Sequence, residues 1–194
     1  MTWLNTRMTL LNKVKDKHDD QSWHEFVSFY QRYIAGIIHK MNFPADEVDD
    51  IVQTVLLQVW KKLPEFEYNP SQGKFRNWLA TITVNRVRDA QRKSGRKNDL
   101  LNNESLDSNN TSQPEVEELA EKEWIKHISK LAWERIEPTL APSVNEAFSL
   151  YLSGVNDKDI AEKLGLAETS IRVYRSRVEQ LMVREVASLE RELG

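Results

Sequence analysis

The chain has 194 residues, 40% hydrophobic and 29% charged, with 27 Lys and Arg against 30 Asp and Glu for a formal net charge of -3. That length suits one domain or two small ones, and no apolar run reaches the roughly 18 residues of a membrane span. The absence of cysteine excludes a disulfide framework and a thiolate zinc site. The opening MTWLNTRMTLLNKVKDK lacks the apolar block of a signal peptide, so the expected compartment is the cytoplasm.

Trp3, Leu4, Leu10, Leu11 and Val14 predict a short first helix. Residues 18–21 read as a connector. Ser22 and Glu25 have the spacing of a capping box, which satisfies free amides at a helix start. Trp23, Phe26, Val27, Tyr30, Ile34, Ile37, Ile38 and Met41 then recur at helical spacing, and Phe43-Pro44 ends that helix. Residues 46–63 form an amphipathic helix with Val48, Ile51, Val52, Val55, Leu56, Val59 and Leu63 on its apolar face. Asp46, Glu47, Asp49 and Asp50 fall in its first turn, where carboxylates favour the macrodipole. A divalent-metal site is the sharper reading of these acids, but no matching His or Asp cluster occurs elsewhere in the sequence. Another side of the helix carries Asp50, Gln53, Thr54, Leu57 and Trp60. Trp60 there is either a core edge or a partner contact.

Residues 66–97, FEYNPSQGKFRNWLATITVNRVRDAQRKSGRK, combine aromatics, a Gly-containing loop and a dense set of cations: Lys74, Arg76, Arg86, Arg88, Arg92, Lys93, Arg96 and Lys97. Rings that stack on exposed bases and cations that track phosphates suit single-stranded nucleic acid. Asn69-Pro70 and Gly73 break any helix, so 68–74 should be a loop. A helix is predicted from Phe75 to about Lys93. At 100° per residue Asn77, Thr81, Asn85, Arg88 and Arg92 share a stripe able to bond base edges or phosphates, while Phe75, Leu79 and Ile82 face elsewhere. The plain alternative is a solvated helix face above an ordinary core stripe.

Residues 98–114, polar and rich in Asn and Ser, read as a flexible linker. An acidic helical stretch follows over 115–137, with Trp124, Ile128 and Leu131 on one stripe and Trp133 and Ile136 as further candidates. Ser143 and Glu146 repeat the capping-box pattern, and Gly154 stops the helix they open. Asn156 is placed to cap a short helix containing Ile160, Ala161 and Leu164. Gly165 allows a tight turn into a longer helix near Thr169. Two helices joined by a short Gly-containing turn are a helix-turn-helix pattern. In the last helix Ile171, Tyr174, Val178, Leu181 and Met182 face inward. Thr169, Arg172, Val173 and Ser176 face outward with Arg177 on the flank, a set suited to guanine, phosphate and a thymine methyl. A bland three-helix packing unit is the other reading.

With these pieces placed, the chain resembles a bacterial RNA polymerase sigma factor of the extracytoplasmic-function subgroup of the sigma-70 family. DDIVQTVLLQVWKKLPEFEYNPSQGKFRNWLATITVNRVRDAQR is similar to the second sigma region, and SVNEAFSLYLSGVNDKDIAEKLGLAETSIRVYRSRV to the fourth. The resemblance implies an all-α chain of two small helical domains, 1–97 and 121–194, joined by a linker over 98–120. It implies RNA polymerase core as partner, through the beta-prime clamp and the beta flap. It also implies promoter DNA, partly single-stranded, and makes an anti-sigma protein a candidate partner. The polymerase face would be Asp50, Gln53, Thr54, Leu57 and Trp60. The minus-ten face would be Tyr68, Asn69, Ser71, Gln72, Lys74, Phe75, Trp78, Thr81, Asn85, Arg88 and Arg92. The minus-thirty-five face would be Thr169, Ser170, Arg172, Val173, Ser176 and Arg177. Thr81 and Ile82 stand where primary sigma factors carry paired tryptophans, which implies narrower promoter choice. No catalytic residue, cofactor or metal is expected. Two competitors are a stand-alone helix-turn-helix regulator that binds duplex DNA without polymerase, and a metal-dependent nuclease using the acids of 46–50.

Overall fold

The computed structural model describes residues 4–15, 19–66, 74–93 and 113–193, and every regular element among them is helical. In order these are α1 (Leu4–Lys15), α2 (Asp20–Lys40), α3 (Val48–Lys62), α4 (Phe75–Lys93), α5 (Gln113–Ile136), α6 (Pro142–Leu152), α7 (Asp157–Leu164) and α8 (Glu168–Leu193). Short 3-10 turns lie at Ala45–Glu47, Leu63–Glu65 and Glu137–Thr139. Contacts divide the chain into two compact units, one through His127 and one over Ile128–Leu193. Trp3, Arg96, Lys97 and the stretches 67–73 and 98–112, where the sequence predicts a loop and a linker, lie outside the described residues.

In the first unit α2, α3 and α4 pack on one another, with α1 against α2. The helical period explains the core. Phe26, Tyr30, Tyr33, Ile34, Ile37 and Ile38 of α2 are buried, as are Val48, Val52, Val55 and Val59 of α3. From α4, Phe75, Leu79, Ala80, Ile82, Val84 and Val87 join them. Each fully buried Leu, Ile, Val or Phe contributes about 1.5–3 kcal/mol over its exposed state. An edge-on ring pair ties α2 to α4, Tyr30 lying 5.4 Å from Phe75, and Phe26 packs beside Tyr30 on α2 at 4.6 Å.

The start of α2 differs from the expected capping box. Asp19 is the cap: its carboxylate accepts the Ser22 amide at 2.9 Å and the Ser22 hydroxyl at 2.7 Å. These bonds hold the Asp19 carboxyl below its ordinary value of 3.8. Ser22 is therefore a buried donor one turn in. The spacing misled because Asp, like Ser, satisfies the first free amides, and it stands three residues earlier. A similar correction applies at α6. The helix begins at Pro142 after Ala141, with no side-chain cap. A proline in the first position has no N–H to satisfy, so Ser143 is not needed as a cap.

The first unit also extends further than the sequence reading. Residues 113–127 are helical, and Val116, Leu119, Ala120 and Trp124 are buried. Trp124 meets Tyr30 and Tyr33 of α2, with ring centres 6.2 Å and 5.3 Å apart. The Tyr33 hydroxyl, kept protonated by burial, donates to the carbonyls of Ala120 and Arg76 at 3.3 Å and 3.2 Å.

The second unit holds two adjoining apolar clusters. Ile136, Val144, Phe148 and Val178 form one, with Trp133, Leu140, Tyr151 and Tyr174 against it. Ala147, Ile160, Ala161 and Ile171 form the other. Asn156 caps α7 as expected, its side-chain oxygen accepting the Asp159 amide at 3.0 Å. Gly165 ends α7 at φ 64°, in the left-handed region that a side chain disfavours. That turn aims α8 across α7, the geometry the sequence predicted.

Candidate polymerase and nucleic-acid interfaces

On α3, burial of the valine stripe turns Asp50, Gln53 and Leu57 to solvent. Leu57 is 54% exposed, an apolar side chain with no fold-level reason to face water. Thr54 is half-buried, and its hydroxyl donates to the Asp50 carbonyl at 2.8 Å. Trp60 is half-buried with its ring edge-on to Trp23 at 4.7 Å. It is thus a core edge that still offers a ring to a partner. Asp46 and Glu47 fall in the 3-10 turn, and Asp49 and Asp50 open α3. Among the described residues no three His, Cys, Asp or Glu side chains come together to hold a metal ion.

On α4 the stripe lies at the surface in part. Asn85 and Arg92 are exposed; Asn77, Thr81 and Arg88 are half-buried. The Thr81 hydroxyl donates to the Asn77 carbonyl at 2.9 Å, which leaves its oxygen with acceptor capacity. Arg92 pairs with Asp89 one turn back. Arg86 reaches the Gln58 side-chain oxygen at 2.9 Å and ties α4 to α3. Lys74 is exposed just before the helix.

Two residues of this stretch do something other than expected. Phe75 is 1% exposed and cannot stack on a base. It braces Trp78 instead, at 5.3 Å, together with Phe66 at 4.6 Å. Trp78 is half-buried and carries the aromatic surface of this site. Arg76, grouped by sequence with the phosphate-tracking cations, has no exposed surface. Its guanidinium pairs with Glu121 at 2.6 Å and lies 5.2 Å over the Trp124 ring. No local pattern announces that pairing, because the partner is on a helix beyond the polar stretch. Tyr68, Asn69, Ser71 and Gln72 lie outside the described residues.

In the second unit Thr169, Arg172, Val173, Ser176 and Arg177 are exposed on α8, Val173 by 57%, and Ser170 is half-buried. Arg172 pairs with Glu168, and its Nε lies 3.8 Å from Asp157. Arg175, which the sequence reading passed over, donates to both Asp157 oxygens at 2.8 Å and 3.0 Å and lies 5.0 Å over the Tyr151 ring. It fixes α8 to the start of α7 and to α6.

A family model described as Sigma-70 region 2 matches residues 26–97, which run from within α2 through α4. Over 74 residues the chain is 32% identical to the RNA polymerase sigma factor NccH of Alcaligenes xylosoxydans xylosoxydans, covering 38% of each. Residues 26–97 of this chain are thus similar to the second region of sigma-70 factors. The chain is also 27% identical over 86 residues to the ECF RNA polymerase sigma factor RpoE of Cereibacter sphaeroides, covering 44% of this chain and 46% of that one. The chain thus spans less than half the length of these curated relatives. The structure of CnrH in complex with the cytosolic domain of CnrY gives a TM-score of 0.38 at 17% identity, over 95% of this chain and 99% of that one. The faces of α3 and α4 described above fall within the sigma-70 match. Among the described residues no helix is long and apolar enough to cross a membrane.

Proposed function

We propose that this chain is a sigma-70 family factor that gives bacterial RNA polymerase a promoter address and helps open the duplex, acting in the cytoplasm with no catalytic residue of its own. One observation carries the reading. Within the residues that match region 2, α3 and α4 bury their apolar sides in one core, and the surface left over is two different faces. The first, Asp50, Gln53 and exposed Leu57 beside Trp60, suits a protein partner, the beta-prime clamp. The second, Lys74, Trp78, Asn85, Arg88 and Arg92, suits a nucleic-acid strand, with a ring for a base and cations for phosphates. The outward residues of α8 supply a reader for duplex DNA at the minus-thirty-five element, with the beta flap as the partner of that unit. A stand-alone regulator would use α8 equally well but leaves the α3 face without a task. An anti-sigma protein is a candidate partner by family resemblance.

The energetics favour a factor that works with the enzyme rather than alone. Flipping a base costs a few kcal/mol, and stacking returns about 1–3 kcal/mol per base. Opening is near balance until polymerase contacts are added, so the isolated chain should bind duplex promoter poorly. Asn85→Ala and Trp78→Ala are expected to lower transcription from the cognate promoter while polymerase binding survives, measured by run-off and co-purification. Loss of polymerase binding would mean that α4 has another role. Arg172→Ala is expected to weaken the upstream element by about 1–3 kcal/mol through loss of a base contact, measured by competition between promoter variants. Unchanged preference would remove Arg172 from the reader.

A further inference from the structure

Glu121 stands outside the region 2 match and outside every face described above, yet it holds the root of α4. Arg76, the second residue of that helix, is fully buried. Its terminal nitrogen donates to the two Glu121 oxygens at 2.9 Å and 2.6 Å, and its Nε donates at 3.2 Å. Such a bidentate pairing fixes orientation as well as distance. The Trp124 ring closes the guanidinium from another side. The Arg76 carbonyl accepts the Tyr33 hydroxyl, so main chain and side chain are both held. Lys74, on the other side of Phe75, brings its Nζ within 3.9 Å of the same carboxylate. One acid therefore governs the two cations at the entry to α4. Glu121 is half exposed, so it holds from the surface a guanidinium that is itself buried; the best-attested use of such a buried charge is to set register.

We propose that Glu121 is a positioning residue for strand opening. Acting through Arg76, it sets the register of the start of α4 and so places Lys74 and Trp78 against the minus-ten strand, without touching DNA itself. This rests on the promoter-opening role proposed above.

The test uses the full chain with bacterial core polymerase, on a promoter taken from the wild-type run-off starts. The promoter is supplied as duplex and as the same sequence premelted across the minus-ten element. Two variants are compared: Glu121→Gln, and the double variant Arg76→Met with Glu121→Met, which removes both charges so that neither is left unpaired. On duplex, open-complex formation is expected to fall about tenfold or more, the scale of an ångström-level misplacement, and on premelted DNA to stay within about twofold of wild type. Polymerase affinity should be unchanged. Equal losses on both templates, or losses that track polymerase affinity, would reduce Glu121 to fold support and overturn the proposal. So would a double variant that opens duplex like wild type. A wild-type chain inactive on both templates would overturn the promoter reading itself, and the proposal with it.

Discussion

Trp124→Ala is expected to destabilise the first unit by about 3–5 kcal/mol, the range for removing a fully buried aromatic. The indole has no exposed surface. It lies edge-on to Tyr33 at 5.3 Å, stacks on Tyr30 at 6.2 Å, and covers the Arg76 guanidinium at 5.2 Å. Its removal opens a cavity between α2, α4 and α5 and leaves a buried cation without the ring that covers it. The location of the damage is as informative as its size. Read from sequence, Trp124 belongs to the second domain, and its loss would loosen α6, α7 and α8. In the structure it belongs to the first unit. Hydrogen exchange resolved by residue should therefore lose protection in α2 and α4 while the second unit keeps its own. The reverse pattern would reject the packing described for α5.

Leu57→Asp is expected to leave stability within about 0.5 kcal/mol, as surface changes do, and to weaken polymerase binding by about 2 kcal/mol or more, the scale of an interface hot spot. That is about thirtyfold in the dissociation constant. The argument is one of exposure. Leu57 is more than half exposed on a helix whose other apolar residues had every opportunity to bury. Asp50 and Gln53 flank it, so a new carboxylate adds to a polar rim and need not disturb the core. Trp60 would give a less clean result, because its contact with Trp23 mixes partner binding with packing. Unchanged affinity for core polymerase, with the fold intact, would move the polymerase face away from α3.

Much of this fold was legible because local rules settled it. The valines of α3 at helical spacing, the Asn156 cap and the left-handed Gly165 are decided within a turn or two of chain, and each stands where the sequence placed it. The outward set on α8 was legible for the same reason, since Ile171 and Val178 fix which side is buried. What escaped depends on partners distant in sequence. Arg76 lies among cations that reach solvent, and nothing near it shows that Glu121 waits on α5. Residues 113–120 were counted with the linker, and Trp124 with the second domain, because Glu115, Glu117, Glu118 and Lys122 dominate the composition there. The apolar positions between them, Val116, Leu119, Ala120 and Trp124, lie at core spacing. Phe75 shows the limit of analogy by position: it is buried and packs under the Trp78 ring.

The most direct test of the account is reconstitution. Purified chain and bacterial core RNA polymerase are mixed with genomic DNA fragments, and the 5′ ends of the transcripts are sequenced. The account expects a stable complex whose transcripts begin downstream of one shared pair of upstream elements, lost when Leu57→Asp replaces the wild type. No complex with core polymerase at micromolar concentration, or starts no different from those of core enzyme alone, would contradict it.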